Sequence, residues 1–236
     1  MQLTFRDILR VFPVSEKTIR DWIDKKQMPC VVANEQYRFN YISLLEWALA
    51  NNIQLTPELL KLSEGESEGY ILSNALRNGD IHYDVGGTSR EEVLKAVVDI
   101  LPLPSALDRK HFFDMLWARE ILGSTAIGNG IAIPHVRNPI ILHIDCPIMT
   151  TCFLKYPIDF KALDKKPVSI LFIVLSPAVK MHLALLARLA FCLQDPKLQN
   201  YLHQKAAREK ILSDFLVLES KIGLYKNGNG KESGKS

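Results

Sequence analysis

At 236 residues, with 47% hydrophobic and 23% charged side chains, the chain has the composition of an ordinary soluble globular protein of one or two domains. A formal charge of +3 is too small to identify a polyanion partner, and no apolar run approaches the roughly 18 residues of a membrane-spanning helix. Arg6, Asp7 and Arg10 interrupt any signal-like segment, so a cytoplasmic protein with no membrane partner is expected, and Cys30, Cys146, Cys152 and Cys192 have neither metal nor redox spacing.

Residues 1–53 read as helix, helix, short hairpin, helix. Thr4 is placed to cap a first helix whose Phe5, Ile8, Leu9 and Phe12 recur at helical spacing, and Ser15 to cap a second with Ile19, Trp22 and Ile23 inward. Lys17, Thr18, Arg20, Asp21 and Lys25 lie on its other side. A strand led by Pro29, a turn near Asn34-Glu35 and a strand over 36–39 follow, and Asn40 is placed to cap a third helix carrying Ile42, Leu45, Trp47 and Leu49. Residues 54–69 have the polar, acidic, glycine-containing composition of a linker, with room for a helical turn after Thr56-Pro57.

Residues 70–222 alternate helix and strand. Ser89 and Glu92 form a capping box before a helix burying Val93, Ala96, Val97 and Ile100, and a second helix spans about 108–122. Strands are expected over 146–153 and 169–175. The next helix is expected to take Ser176 as cap and Pro177 at its first position, and two helices close the domain after Asp195-Pro196. The simplest architecture is α/β, a mixed sheet flanked by helices. Residues 223–236 read as a disordered tail.

Between the 108–122 helix and the first of those strands runs Gly-Ser-Thr-Ala-Ile-Gly-Asn-Gly-Ile-Ala-Ile-Pro-His, ending at His135. Asn129-Gly130 suits the positive φ angles of a two-residue hairpin. Counting back pairs Gly128 with Ile131, Ala126 with Ile133 and Ser124 with His135, which sets a hydroxyl opposite an imidazole. The glycines at 123 and 128 have P-loop spacing, yet Asn129-Gly130 stands where Lys-Ser/Thr is required, and no dinucleotide fingerprint or zinc spacing is present. No cofactor or metal is expected.

This run, preceded by Arg119-Glu120 and followed by Pro157–Asp164, Pro167-Val168, the apolar 170–175 strand and Lys180-Met181-His182-Leu183, resembles enzyme IIA domains of the fructose/mannitol and nitrogen-regulatory class. These belong to the bacterial phosphoenolpyruvate-dependent phosphotransferase system. The resemblance covers about residues 70–222, with Ala126 and Val136 where glycine is common. It implies a phosphoryl acceptor at Nε2 of His135, a second active-site histidine at His182, and a histidine-containing phosphocarrier protein as partner. Arg119 is a candidate for neutralising the phosphoryl group, with Ser124 and Thr125 as weaker hydrogen-bonding support. The chemistry requires an uncharged, reachable imidazole among groups that welcome a dianion.

The first 53 residues resemble small winged helix-turn-helix domains of the excisionase and MerR class, through Ser15–Ile23, Lys26–Pro29, Tyr37-Arg38-Phe39 and Leu44–Trp47. That resemblance implies base or phosphate contacts from Lys17, Thr18 and Arg20, and backbone contacts from Lys25, Lys26 and Arg38. Seven Lys and Arg stand against six Asp and Glu in this segment, so one copy binds DNA weakly, and a scaffold for protein contacts is the alternative. The expected function is a regulatory phosphocarrier, a phosphohistidine phosphotransferase component coupled to DNA or to a target protein. The alternatives are an enzyme IIA serving a separate sugar permease, and a DNA-binding regulator whose enzyme IIA-like domain takes no phosphate.

Overall fold

Side-chain caps open six of the helices in the computed structural model, which describes residues 1–63, 71–105, 107–136 and 144–228. The N-terminal part runs β1 (Gln2–Thr4), α1 (Phe5–Val11), α2 (Glu16–Lys26), β2 (Val31–Ala33), β3 (Gln36–Asn40) and α3 (Tyr41–Ala50). Thr4 and Asp7 cap α1 reciprocally, Ser15 Oγ accepts the Thr18 amide, and Asn40 Oδ1 accepts the amides of Ile42 and Ser43. β1 was not anticipated; it adds to the hairpin in the order β1-β3-β2, burying Leu3.

Composition suggested a linker after residue 53 with a helical turn after Thr56-Pro57; the turn is a seven-residue helix, α4 (Pro57–Ser63), packed into the core. Leu59 and Leu60 are buried, Tyr41 donates its hydroxyl to Leu59 O, and Thr56 donates to Val11 O. Three leucines among polar neighbours suffice for a short amphipathic helix once there is something to pack against. The rest of the expected linker, residues 64–69, lies outside the described residues.

The C-terminal part is a five-stranded mixed sheet in the order β4-β7-β8-β6-β5, formed by β4 (Ile81–Val85), β5 (Ala126–Gly128), β6 (Ile131–Ala132), β7 (Ile148–Ile158) and β8 (Val168–Leu175). β8 is central and buried on both faces, as its unbroken Ile-Leu-Phe-Ile-Val-Leu run requires. Its side chains alternate between two cores. Ile170, Phe172 and Val174 face the side of α5 (Ile71–Asn78), α8 (Val179–Cys192) and α10 (Arg208–Gly228). Leu171, Ile173 and Leu175 face α6 (Arg90–Ile100) and α7 (Arg109–Leu122). α9 (Pro196–His203), capped by Asp195, joins α8 to α10. α10 runs to Gly228, so it takes in the first residues of the expected tail; residues 229–236 lie outside the described ones.

The first core does not stop at the sheet. It is one cluster with the N-terminal part, in which Leu44, Leu45, Leu59 and Leu60 join Ile127, Ile133 and Leu186. α3 packs on β5 and α8, and α4 packs on α8. Gln194 locks the junction, its carboxamide accepting from Leu55 N at 3.1 Å and donating to Ile53 O at 3.0 Å. Among the described residues no helix is long and apolar enough to cross a membrane.

Candidate functional site

The β5–β6 hairpin turns at Asn129 (φ 52°) and Gly130 (φ 71°), both in the left-handed region that a two-residue turn needs. Asp164 accepts the Asn129 amide at 2.8 Å and fixes the turn from outside. The register differs from the simple count. Gly128 pairs with Ile131 as expected, but a bulge follows, Ala126 faces Ala132, and Ile133 N donates to Thr125 O at 3.0 Å. A one-residue slip reverses which face a side chain takes, so Ser124 is not the partner of His135. Ser124 Oγ instead accepts the Ala126 amide. Thr125 is also engaged: its hydroxyl and amide both go to the Glu120 carboxylate, at 2.6 and 3.0 Å.

His135 follows the end of β6, and its Nδ1 lies 2.8 Å from Ile133 O. A carbonyl only accepts, so Nδ1 carries the proton and Nε2 keeps its lone pair. The His182 ring lies 5.5 Å away, centroid to centroid. It stands in the first turn of α8, which starts later than expected: Ala178 occupies the cap position, and Ser176 Oγ donates to Ala178 O without capping the helix. Among the described residues neither ring nitrogen of His182 has a hydrogen-bond partner, although both are buried. Burial, reinforced by His182 and by the positive charge of Arg119, depresses the His135 pKa to about 3. Burial alone takes His182 down to about 4. Both rings are therefore neutral at cellular pH.

Arg119, near the end of α7, donates from Nη1 to Gly123 O at 2.7 Å and pairs through Nη2 with Glu46 Oε1 at 2.7 Å. Glu46 belongs to α3. Burial raises its pKa to about 7 against the pull of the guanidinium. Glu120, 1% exposed, takes Thr125 on one side and Arg90 at 3.4 Å on the other. Burial raises its pKa, with Thr125 and Arg90 opposing.

One expectation is overturned outright: the imidazole of His135 is not reachable. The residue is 2% exposed and His182 1%, and α3 lies over His135. The space between holds only about 10 Å3, bounded by Ile42, Leu45, Glu46 and Leu49 on one side and Ile127, Ile133, His135, Leu186 and Ala190 on the other. Sequence reasoning missed Glu46. The signal available was a single acid in a helix, Tyr-Ile-Ser-Leu-Leu-Glu-Trp-Ala-Leu-Ala, otherwise apolar nearly all round, which is the mark of a helix buried on more than one side.

Of the six side chains assigned to DNA, Lys25 and Lys26 line a cleft that also reaches Glu46 and Ser124. Arg20 pairs with Glu16 at 2.7 Å and lies over the Phe5 ring, and Lys25 pairs with Asp21 at 2.6 Å. Thr18 bonds the Ser15 hydroxyl, Arg38 donates to Gln36, and Lys17 and Lys26 are exposed. Among the described residues no group of three or more His, Cys, Asp or Glu is placed to hold a metal.

The family described as "Phosphoenolpyruvate-dependent sugar phosphotransferase system, EIIA 2" matches residues 74–216. The chain is 37% identical over 144 residues to a nitrogen regulatory protein of Pseudomonas aeruginosa, covering 59% of this chain and 91% of that protein. It is 33% identical to a nitrogen regulatory protein of Escherichia coli over 59% of this chain and 86% of the relative. Among solved structures, the nitrogen regulatory protein IIA-Ntr of Neisseria meningitidis superposes with a TM-score of 0.51 at 31% identity, covering 57% of this chain and 92% of its own. A match over more than half its length, ending well past the paired histidines, makes this chain a member of the EIIA type 2 family of the phosphoenolpyruvate-dependent sugar phosphotransferase system.

Proposed function

We propose that the chain is a regulatory phosphocarrier, taking a phosphoryl group onto Nε2 of His135 from a histidine-containing phosphocarrier protein. The N-terminal part, read as a winged helix-turn-helix domain, relays that event to DNA or to a target protein. The observation that carries the reading is the Nδ1 hydrogen bond to Ile133 O, which holds His135 as the tautomer with a nucleophilic Nε2 beside His182 and Arg119. The Nε2 lone pair attacks phosphorus while the donor's nitrogen–phosphorus bond breaks, its electron pair leaving with the donor imidazole. Arg119 neutralises the phosphoryl oxygens, and neutral His182 offers one N–H to them. Thr125 and Glu120 act at one remove by holding the hairpin in shape. Relatives named nitrogen regulatory proteins favour a regulatory role over service to a sugar permease.

Incubation with phosphoenolpyruvate and the general phosphotransfer proteins, followed by mass spectrometry, tests this. A gain of one phosphoryl group is expected for the wild type and none for His135→Ala; an undiminished gain in the variant sinks the assignment. The 2% exposure of His135 favours a second reading, a DNA-binding regulator whose EIIA-like domain takes no phosphate. Absence of any mass gain in the same assay, from the wild type and from Glu46→Gln alike, supports it.

A further inference from the structure

Residues 1–63 precede the family match, yet α3 sits directly on His135. Three features of this contact bear on one another. The gap of about 10 Å3 over His135 is room for one water at most, and a phosphoryl group is several times larger. The α3 side of that gap is apolar apart from Glu46, so a dianion on Nε2 would have no solvation from the helix. The Glu46 carboxylate already occupies the free end of Arg119, the guanidinium that a phosphoryl group on His135 needs.

We propose that α3 occupies the same surface of the phosphotransferase domain as the phosphoryl donor. Glu46 stands on Arg119 in place of the phosphoryl group, so helix docking and phosphorylation of His135 exclude each other. The proposal rests on His135 being the acceptor. Docked, α3 shields Nε2 from in-line attack. Once phosphorylated, His135 bears close to two negative charges, which displace a carboxylate from a shared guanidinium and repel it across a few ångströms of low-dielectric interior. The interface is suited to release. A cleft of about 560 Å3 reaches Glu46 and Ser124 between the two parts of the chain, lined also by Lys25, Lys26 and Lys161, so α3 has solvent along one edge. The chain between α3 and α4 turns at a left-handed residue, Asn52 (φ 53°), just before the Ile53 and Leu55 bonds to Gln194, so α3 can swing at Asn52 while that anchor holds. The phosphoryl signal is thus read inside the molecule by the helix it evicts, and the released helix carries Ile42, Leu45 and Leu49 into contact with solvent or a partner.

The test uses the full chain. The rate of phosphoryl uptake from phosphoenolpyruvate and the general phosphotransfer proteins is measured for wild type, Glu46→Gln and the control Glu91→Gln, an exposed α6 residue. Hydrogen exchange is followed over 41–50 and 179–192 before and after phosphorylation of the wild type. Glu46→Gln is isosteric and keeps the helix. Uptake about tenfold faster in Glu46→Gln only, with faster exchange in both segments after phosphorylation, is the expected result. Equal rates together with unchanged exchange overturn the exclusion and leave His135 as acceptor. No uptake by any of the three proteins removes the acceptor assignment itself, and this proposal with it.

Discussion

On α2 the charged side chains stand in water and neutralise one another, Arg20 with Glu16 at 2.7 Å and Lys25 with Asp21 at 2.6 Å. Around His135 the opposite holds: both imidazoles and the Glu120 carboxylate are buried, Arg119 and Glu46 are half-buried against each other, and both imidazoles and both carboxylates are displaced from their ordinary pKa values. Exposed pairs at helical spacing contribute little because water screens them, whereas each buried group depends on the others. The same residue types therefore make a tolerant surface in one place and a sensitive centre in the other.

Removing a charge from each region is the sharpest way to break this contrast. Arg119→Met should slow phosphoryl uptake about a hundredfold, as loss of one preorganised donor does. It should also lower stability by about 3 kcal/mol, since Glu46 keeps its burial and loses its partner. A urea-unfolding midpoint equal to wild type would place the guanidinium with the surface charges instead.

Acid separates the regions next. The folded-state pKa values of His135 and His182 lie below the ordinary 6.5, so the stability they confer is complete above that pH and disappears as pH falls towards about 3 and about 4 respectively. Each ring should account for about 2 kcal/mol of the loss on going from pH 7 to pH 5. Glu46 works in the other direction. Its folded value of about 7 means that its contribution is present below about 4.5 and is lost as pH rises through 7. Unfolding measured in Glu46→Gln removes that opposing contribution and leaves only the weaker one of Glu120, so stability that rises from pH 7 down to pH 5 there would count against the two rings being held neutral.

The smallest effects belong to α2. Lys25→Ala should leave the urea midpoint unchanged. Replacing Lys17, Lys25 and Lys26 by alanine together should weaken duplex DNA binding alike for all sequences, with the log–log salt slope reduced by about one per side chain. Phosphoryl uptake should not change. A salt slope identical to wild type would mean that this face meets no phosphates.

Much of this was legible in the sequence because it is local. Thr4, Ser15, Asn40, Asp108 and Asp195 each begin a helix with a side-chain bond, and Asn129-Gly130 turns the hairpin. His135, Arg119 and His182, nominated through the family resemblance of the glycine-rich turn ending in Pro-His and of Lys180–Leu183, lie near one another in the fold. What failed depended on tertiary context. The bulge that sets Ala126 against Ala132 arises from pairing with β8 and from positive φ at Gly128, which counting from a turn does not contain. β4 and β1 were missed because each becomes a strand by joining an edge, with only its end or middle residue buried. The burial of His135 was invisible for the same reason. No motif in residues 41–50 says that this helix lies on a histidine more than eighty positions away.

The single oily cluster running from Leu3 through Ile133 to Ile222 has a practical corollary for anyone dividing the polypeptide. Cutting between Ser63 and Ile71 would strip the cover from Ile127, Ile133 and Leu186, leaving an adhesive, water-averse plate at the reactive rim. Such a fragment should stick to itself at ordinary concentrations, and the plate is also the natural landing ground for a visiting protein once the lid has swung aside.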